Sequence, residues 1–359
     1  MAILQIHVPA YNEEEHIESV IEGILGQSFT DFSLVIHDNK STDGTLEICR
    51  RLAARDRRIL LDEGSVNVGG LAQMPKMRCG FDAKYVAMRS ANDQMHPDYL
   101  RHAVGMLEAD PSVGLAYSHG SEFAQTVEQA VPSPAEFRID TRGMSPVDSA
   151  LEVVRRYTVS FALWGVYRRE VYERCRPYQF IYGGDHVFIA EVALYGAVAA
   201  MELPLDYRRS NPTDWRKVMA SNTKSQLEEH VRQIAENSYF YGLKQRAPFT
   251  DMAWGHAEMF SLAGVDDNSK NRLILLSAEI LKARFGAFMR EEASGMVTLL
   301  TSVLAGLKDQ SIKHSAHILF WLQKARRELE KIRFLNMHPL PEILELEARI
   351  SSLLGTLHS

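Results

Sequence analysis

Residues 3–45 read ILQIHVPAYNEEEHIESVIEGILGQSFTDFSLVIHDNKSTDGT. The stretch opens on an apolar run at 3–8, which predicts a short buried strand. From Asn12, a residue type that commonly caps helices, the pattern becomes helical. Apolar side chains then recur at helical spacing: Ile17, Val20, Ile21, Ile24 and Leu25. A second apolar run at 32–38 predicts the next strand, so the stretch indicates a parallel β-α-β unit.

The same alternation of strands and helices continues to about residue 210. Further apolar runs predict strands at 58–62, 84–90, 113–119 and 162–168, and a strand followed by a turn at 198–210. We therefore predict an α/β domain with a Rossmann-like, mostly parallel sheet and helices on both faces. Ligands bind such sheets at the carboxyl ends of the strands. Because the polar clusters at 9–14, 38–43 and 89–93 each follow a predicted strand, we expect them to converge in one crevice.

After about residue 220 the pattern is helical throughout. The candidate helices are 222–243, 252–264, 268–290, 293–307, 311–335 and 341–355. We predict an α/β domain at 1–215 followed by an all-helical C-terminal domain at 216–359. Acceptor binding and formation of a homodimer are both open roles for the helical domain, and its sequence does not separate them.

Composition limits the classes of function. The chain has 359 residues, 46% of them apolar, and a net charge of −6, so no basic surplus exists to bind nucleic acid. Its three cysteines form no disulfide or zinc pattern, which suits a reducing cytoplasm. No signal peptide or run of about 18 apolar residues is present. We expect a cytoplasmic protein, with a peripheral position at the inner face of a membrane left open.

Two residues at the predicted carboxyl edge suit a nucleotide ligand. Tyr11 follows the first strand, where an aromatic ring can stack on a base, although it can equally pack the start of the helix. Asp38 ends the second strand, where a carboxylate can accept hydrogen bonds from a base or ribose. Ser41, Thr42 and Asp43 are helix-capping types, and we expect them to be structural.

Three segments together resemble a family 2 glycosyltransferase. They are VPAYNEEEHIESVIEGILGQSFTDFSLVIHDNKSTDGT at 8–45, NVGGLAQMPKMRCGFDAKYVAMRSANDQMHPD at 67–98 and GGDHVFIAEVALYG at 183–196. The likeness covers about 3–210 and depends on the order and spacing of the motifs. Lys40 stands where the family usually has glycine.

The resemblance implies a GT-A fold and transfer of a sugar, with inversion, from a nucleotide-diphosphate sugar to a hydroxyl acceptor. Pro9, Tyr11 and Asp38 would hold the nucleoside. Lys76 or Arg78 would stand near the phosphate-facing arginine of the family, although the motif register places Met77 there. Asp185 would be the general base that deprotonates the acceptor, a role compatible with capping the helix that follows.

The metal-binding motif of the family is altered in this chain. The family's D-x-D-D falls on Ser90, Ala91, Asn92 and Asp93, so two carboxylates have neutral replacements. Manganese or magnesium needs hard anionic oxygen ligands, and Asp93 is the one carboxylate that remains. A later metal-ligating histidine of the family falls on Ser210. The nearby cations are Arg89, Arg208 and Arg209, and we hypothesise that they stabilise the leaving diphosphate in place of a metal.

Several alternatives stay open. The chain can be a metal-independent glycosyltransferase, a metal-dependent one with weak binding centred on Asp93, or a catalytically degenerate paralogue that binds a nucleotide sugar or a partner. A nucleotidyltransferase is disfavoured because the loop after the first strand is acidic. Trp164 precedes the base helix and is a candidate for acceptor stacking, with strand packing as the alternative. The acceptor can be a glycan, a lipid-linked sugar or a protein.

Overall fold

The computed structural model describes residues 2–68, 82–133, 138–157, 160–179, 181, 183–209, 248–306 and 316–358. The chain divides into two compact units. The described residues up to 209 form an α/β unit, except that residues 181 and 183 group with the helical unit from 248 onward. The predicted domain boundary at 215/216 and the predicted helix at 222–243 lie outside the described residues.

The α/β unit alternates strands and helices as its sequence pattern predicts. Its strands are β1 (Leu4–Ala10), β2 (Phe32–Asp38), β3 (Ile59–Glu63), β4 (Tyr85–Met88), β5 (Gln94–Met95), β6 (Val113–Ser118), β7 (Ser121–Phe123), β8 (Val131–Pro132), β9 (Val166–Arg168), β10 (Ala197–Met201) and β11 (Asp206–Arg209). Its helices are α1 (Ile17–Leu25), α2 (Thr45–Ala53), α3 (Tyr99–Ala109), α4 (Pro146–Arg156), α5 (Arg169–Arg174) and α6 (Gly184–Tyr195).

Seven strands form the main sheet in the order β10-β6-β9-β4-β1-β2-β3. All neighbouring pairs are parallel except those that β9 makes with β4 and β6. The alternate side chains Leu4, Ile6 and Val8 of β1 are completely buried, and they join the apolar face of α1 in one core. The α/β architecture with a mostly parallel sheet is confirmed.

A second, four-stranded sheet in the order β5-β11-β7-β8 lies in the same unit. Its strands β7 and β8 lie within residues 121–132. Strand β11 pairs with β5 through Asp206–Met95 and Tyr207–Gln94, and with β7 on its other side. These pairings bring Arg208 and Arg209, late in the unit, beside the turn at residues 90–93.

Two local predictions are wrong. Helix α1 begins at Ile17 with His16 as its N-cap, whereas Asn12 lies in the left-handed region with φ 53°. The predicted strand at 162–168 is a 3-10 segment over Ser160–Trp164, followed by the short strand β9. Apolar runs of this length are compatible with either conformation, and tertiary packing decides between them.

A chain of hydrogen bonds crosses β1, β2 and β3. His7 Nδ1 lies 2.8 Å from His37 Nε2, and His37 Nδ1 lies 2.8 Å from Asp62 Oδ2. Burial, together with the nearby His37, lowers the pKa of His7 to about 3. His7 is therefore a neutral polar residue of the sheet at physiological pH.

The helical unit contains α7 (Pro248–Ser261), α8 (Asp267–Gly306), α9 (Ala316–Leu335) and α10 (Leu340–His358). The predicted helices 268–290 and 293–307 are a single helix, because no residue between them interrupts the helical backbone. Glu292 of α8 accepts hydrogen bonds from the N–H groups of Phe249 (3.1 Å) and Thr250 (2.9 Å), and so caps the start of α7. No helix within the described ranges combines the length and apolar character needed to cross a bilayer.

Candidate active site at the carboxyl edge of the sheet

The loops after β1 and β2 place the two predicted nucleoside-binding residues side by side. Ala10 is paired in register with Asp38, and Tyr11 follows directly with 42% of its surface exposed. Asp38 is 2% exposed, and its carboxylate accepts a hydrogen bond from the N–H of Ser41 (3.2 Å). Pro9 lies within β1, opposite His37, and is half-buried. The structure thus brings Pro9, Tyr11 and Asp38 to one edge.

The same two loops are cross-linked by polar side chains. Asn12 Oδ1 accepts from the N–H of Thr42 at 2.8 Å, and the N–H of Asn12 donates to Ser41 Oγ at 3.1 Å. Asp43 Oδ1 accepts from the N–H of Thr45 at 3.0 Å, at the start of α2. Ser41, Thr42 and Asp43 therefore act structurally, as their residue types predict.

Lys40 has φ 64° and is exposed, in the position where the family usually has glycine. A Cβ atom in this region costs about 1–2 kcal/mol, while glycine loses more entropy on folding. We expect Lys40→Gly to raise the free energy of unfolding by about 0.5–1 kcal/mol in urea titrations. Lys40→Ala removes the charge but keeps Cβ, so it should give no gain. Equal gains in both variants would contradict the strain argument.

The turn that replaces the metal-binding motif is held by neutral hydrogen bonds. Ser90 Oγ donates to Asn92 Oδ1 at 2.6 Å, and Asn92 Nδ2 donates to Glu13 Oε1 at 3.3 Å. The carboxylate of Asp93 accepts from the N–H of Arg209 at 2.8 Å. Across the described ranges, no group of three or more His, Cys, Asp or Glu side chains is arranged to hold a metal ion. These residues do not fit a conventional manganese or magnesium centre.

Glu13 is a member of this cluster that the sequence reasoning missed. Burial, followed by the charges of Asp93 and Asp43, raises its pKa to about 7, and Arg209 opposes the rise. The acidic run NEEE directly after β1 is the signal that could have identified it. Which of the three glutamates turns toward Asn92 depends on the loop conformation, which the sequence does not specify.

The three arginines of the metal-replacement hypothesis have different surroundings. Arg89 is buried, donates to both oxygens of Asp206 (2.6 and 3.2 Å) and donates to the carbonyl of Trp164 (2.8 Å). The prediction that Arg89 faces the diphosphate is therefore wrong, because its guanidinium forms a buried ion pair with Asp206. Arg209 donates through Nε to the carbonyl of Asn92 (3.2 Å) and lies over the ring of Phe123.

Arg208 lies close to two carboxylates of the candidate site. Burial raises the pKa of Asp93, the charge of Asp206 adds to the rise, and Arg208 opposes it. Burial also raises the pKa of Asp185, where Arg208 is again among the opposing groups. The positive charge of Arg208 thus acts on both the altered metal motif and the predicted base.

Asp185 stands in the first turn of α6, where the preceding glycines allow the chain to enter the helix. Its carboxylate accepts hydrogen bonds from backbone N–H groups at the start of the helix and from the phenol of Tyr157 (3.2 Å). Burial nevertheless raises its pKa above the usual range for aspartate. A carboxylate whose pKa is moved toward neutrality is suited to proton transfer.

The remaining predicted residues are placed as follows. Trp164 is half-buried at the end of the 3-10 segment, and its carbonyl also accepts from the phenol of Tyr99 (3.3 Å). Lys76 and Arg78, the predicted phosphate-facing cations, lie outside the described residues. The acceptor role of Trp164 stays a prediction.

Comparison with known proteins agrees with this arrangement. The family model described as "Glycosyl transferase family 2" matches residues 5–172. Residues 5–172 are thus similar to glycosyl transferase family 2. This match confirms the resemblance and includes the loops after β1, β2 and β4, whereas the third motif, at 183–196, lies beyond the matched residues.

Curated relatives of this chain are glycosyltransferases by name. Putative glycosyltransferase EpsE of Bacillus subtilis is 31% identical over 137 residues, which is 37% of this chain and 49% of that protein. Chondroitin synthase of Escherichia coli is 27% identical over 118 residues, 32% of this chain and 17% of that protein. The chain thus spans less than half the length of these relatives.

Solved structures share the fold. S. aureus TarS matches 99% of this chain and 54% of its own length, with a TM-score of 0.54 and 15% identity. TarS 1–349 in complex with UDP matches 99% of this chain and 89% of its own length, with a TM-score of 0.54 and 16% identity. At this identity the likeness shows a GT-A-type fold and no more.

Proposed function

We propose that this chain is an inverting glycosyltransferase that moves a sugar from a nucleotide-diphosphate sugar to a hydroxyl acceptor. The observation that carries the proposal is the grouping of Asp185, Arg208 and Asp93 near the edge of the sheet that carries Tyr11 and Asp38. It combines a carboxylate suited to proton transfer, a cation near the expected diphosphate and an exposed aromatic ring.

In the proposed reaction, Asp185 accepts the proton of the acceptor hydroxyl as its oxygen attacks the anomeric carbon. The bond from that carbon to the diphosphate oxygen breaks, and the nucleoside diphosphate leaves with the electron pair. Attack on the face opposite to the leaving group inverts the configuration. Tyr11 would stack on the base, and Pro9 and Asp38 would complete the nucleoside site.

Cationic side chains are proposed to stabilise the negative charge of the leaving diphosphate. Arg208 and Arg209 are the candidates from β11, with Lys76 or Arg78 as further phosphate-facing candidates. Ser90, Asn92 and Asp93 would shape the donor side of the site through the network that links them to Glu13 and Arg209. Trp164 is the candidate for acceptor contact, and the acceptor is a glycan, a lipid-linked sugar or a protein.

A second candidate function is a catalytically degenerate paralogue that binds a nucleotide sugar or a partner. The loss of both carboxylates at Ser90 and Asn92 favours it. Retention of a carboxylate at Asp185, with a raised pKa, favours catalysis. The cytoplasmic location, the peripheral membrane position and the homodimer through the helical region stay predictions.

Calorimetric titration with UDP, GDP and dTDP, each with manganese and with EDTA, tests the donor site. We expect one nucleotide to bind, with a Kd in EDTA within about three-fold of that in manganese, because two carboxylates of the metal motif have neutral replacements and Arg208 and Arg209 are proposed to hold the diphosphate. Binding that requires manganese would overturn the role of the arginines and favour a cation held by Asp93. Failure of all three nucleotides under both conditions would favour the degenerate paralogue.

A further inference from the structure

A buried tyrosine outside the recognised motifs contacts the proposed base. Tyr157 directly follows α4, is 4% exposed, and donates its phenolic O–H to Asp185 Oδ2 at 3.2 Å. Its ring lies edge-on to that of His186, with centroids 5.4 Å apart. Tyr157 directly follows α4, Asp185 lies in the first turn of α6, and these two helices pack against each other. The contact therefore lies beside a helix–helix interface.

A donor at one carboxylate oxygen restricts rotation of the carboxylate about its Cβ–Cγ bond. With Tyr157 on Oδ2, the direction of Oδ1 is fixed relative to α6. A charge-assisted hydrogen bond also favours the ionised carboxylate, which is the form that accepts a proton. Both effects act on the carboxylate of Asp185, whose geometry decides the proposed transfer of the acceptor's proton.

The other groups that influence Asp185 come from three elements. They are the N–H of His186 on α6, Arg208 on β11 and Tyr167 on β9. Tyr178 also raises the pKa of Tyr157, although burial is the larger cause. Tyr157, by contrast, donates a side-chain hydrogen bond to Oδ2 of the Asp185 carboxylate.

We propose that Tyr157 is the positioning residue of the base: it holds the carboxylate of Asp185 by Oδ2 and turns Oδ1 toward the acceptor hydroxyl. This inference rests on the proposed function, because it needs Asp185 to accept the acceptor's proton. It adds Tyr157, which lies outside the three motifs, to the residues proposed to take part in the reaction.

Tyr157→Phe removes the donor and keeps the ring. We expect the pKa of Asp185, followed by carboxyl ¹³C NMR on protein labelled with [¹³C]aspartate, to rise by about one unit. The resonance is assigned as the one missing from Asp185→Asn. Tyr172→Phe is the matched control, because Tyr172 is also buried against α6 through Phe188 but its phenol contacts Met88 Sδ (3.6 Å). It should leave the titration unchanged.

The second readout is release of nucleoside diphosphate from the nucleotide sugar whose nucleotide binds in the calorimetric panel. We expect Tyr157→Phe to lower kcat roughly 10- to 100-fold, to move the acid limb of the kcat–pH profile upward and to leave the donor KM within about two-fold. An unchanged NMR titration, or a pH profile equal to that of Tyr172→Phe, would overturn the role of Tyr157 while leaving Asp185 as the base. Turnover retained by Asp185→Asn would instead overturn the base assignment itself.

Discussion

Asp185→Asn is expected to lower turnover of the nucleotide sugar by roughly 10²–10⁴-fold, because an amide cannot accept the proton of the attacking hydroxyl. Asparagine keeps the size of aspartate and an oxygen that can accept from Tyr157, so the start of α6 should persist. Binding of the nucleoside diphosphate should change by less than about two-fold, because the proposed nucleoside site is built from β1 and β2. Release of nucleoside diphosphate and calorimetry measure the two effects on the same protein.

Asp110→Asn is the control for this variant. Asp110 precedes β6, at the amino end of the strand and thus opposite to the candidate site, and it accepts from the N–H of Ser112 at 2.9 Å. It should leave turnover unchanged. If Asp185→Asn kept the wild-type rate, the assignment of the base would be wrong. If it lost nucleotide binding as well, Asp185 would be a donor-binding residue.

The largest expected loss of stability comes from the buried pair Arg89–Asp206. Their side chains are 2% and 3% exposed, and the guanidinium also lies over the ring of Tyr99. Arg89→Met leaves the carboxylate of Asp206 buried without its partner, which costs about 3–5 kcal/mol of the free energy of unfolding. Urea unfolding followed by circular dichroism should show the loss as a lower midpoint.

Lys84→Met is the matched control, because Lys84 and Arg89 flank the two ends of β4. Lys84 precedes β4 and pairs with Glu108 at 2.7 Å, but the two side chains are 48% and 43% exposed. Its loss should shift the urea midpoint far less than Arg89→Met does, because water screens an exposed ion pair. The double variant Arg89→Met/Asp206→Leu should recover much of the loss, since it removes both charges. Equal small effects of Arg89→Met and Lys84→Met would show that the buried pair contributes little.

This pair also explains why Arg89 was wrongly included in the cation hypothesis. In the sequence, Arg89 stands next to the altered motif, where a phosphate ligand could stand, and Asp206 is more than a hundred residues away. Strand pairing of β11 with β5 brings the two together. A long-range ion pair of this kind leaves no local signal, so sequence reasoning counted Arg89 among the available cations.

The sequence by itself determined the α/β class, the order of most strands and helices, and the edge of the sheet that carries Tyr11 and Asp38. These features follow from periodicity and from the rule that parallel strands end together, which are local properties of the chain. Tertiary structure alone decided that Glu13 accepts a hydrogen bond from Asn92, that Arg89 forms an ion pair with Asp206 and that Tyr157 contacts Asp185. Each of these contacts joins residues at least 28 positions apart, and pairing at that distance depends on how strands and helices pack in three dimensions.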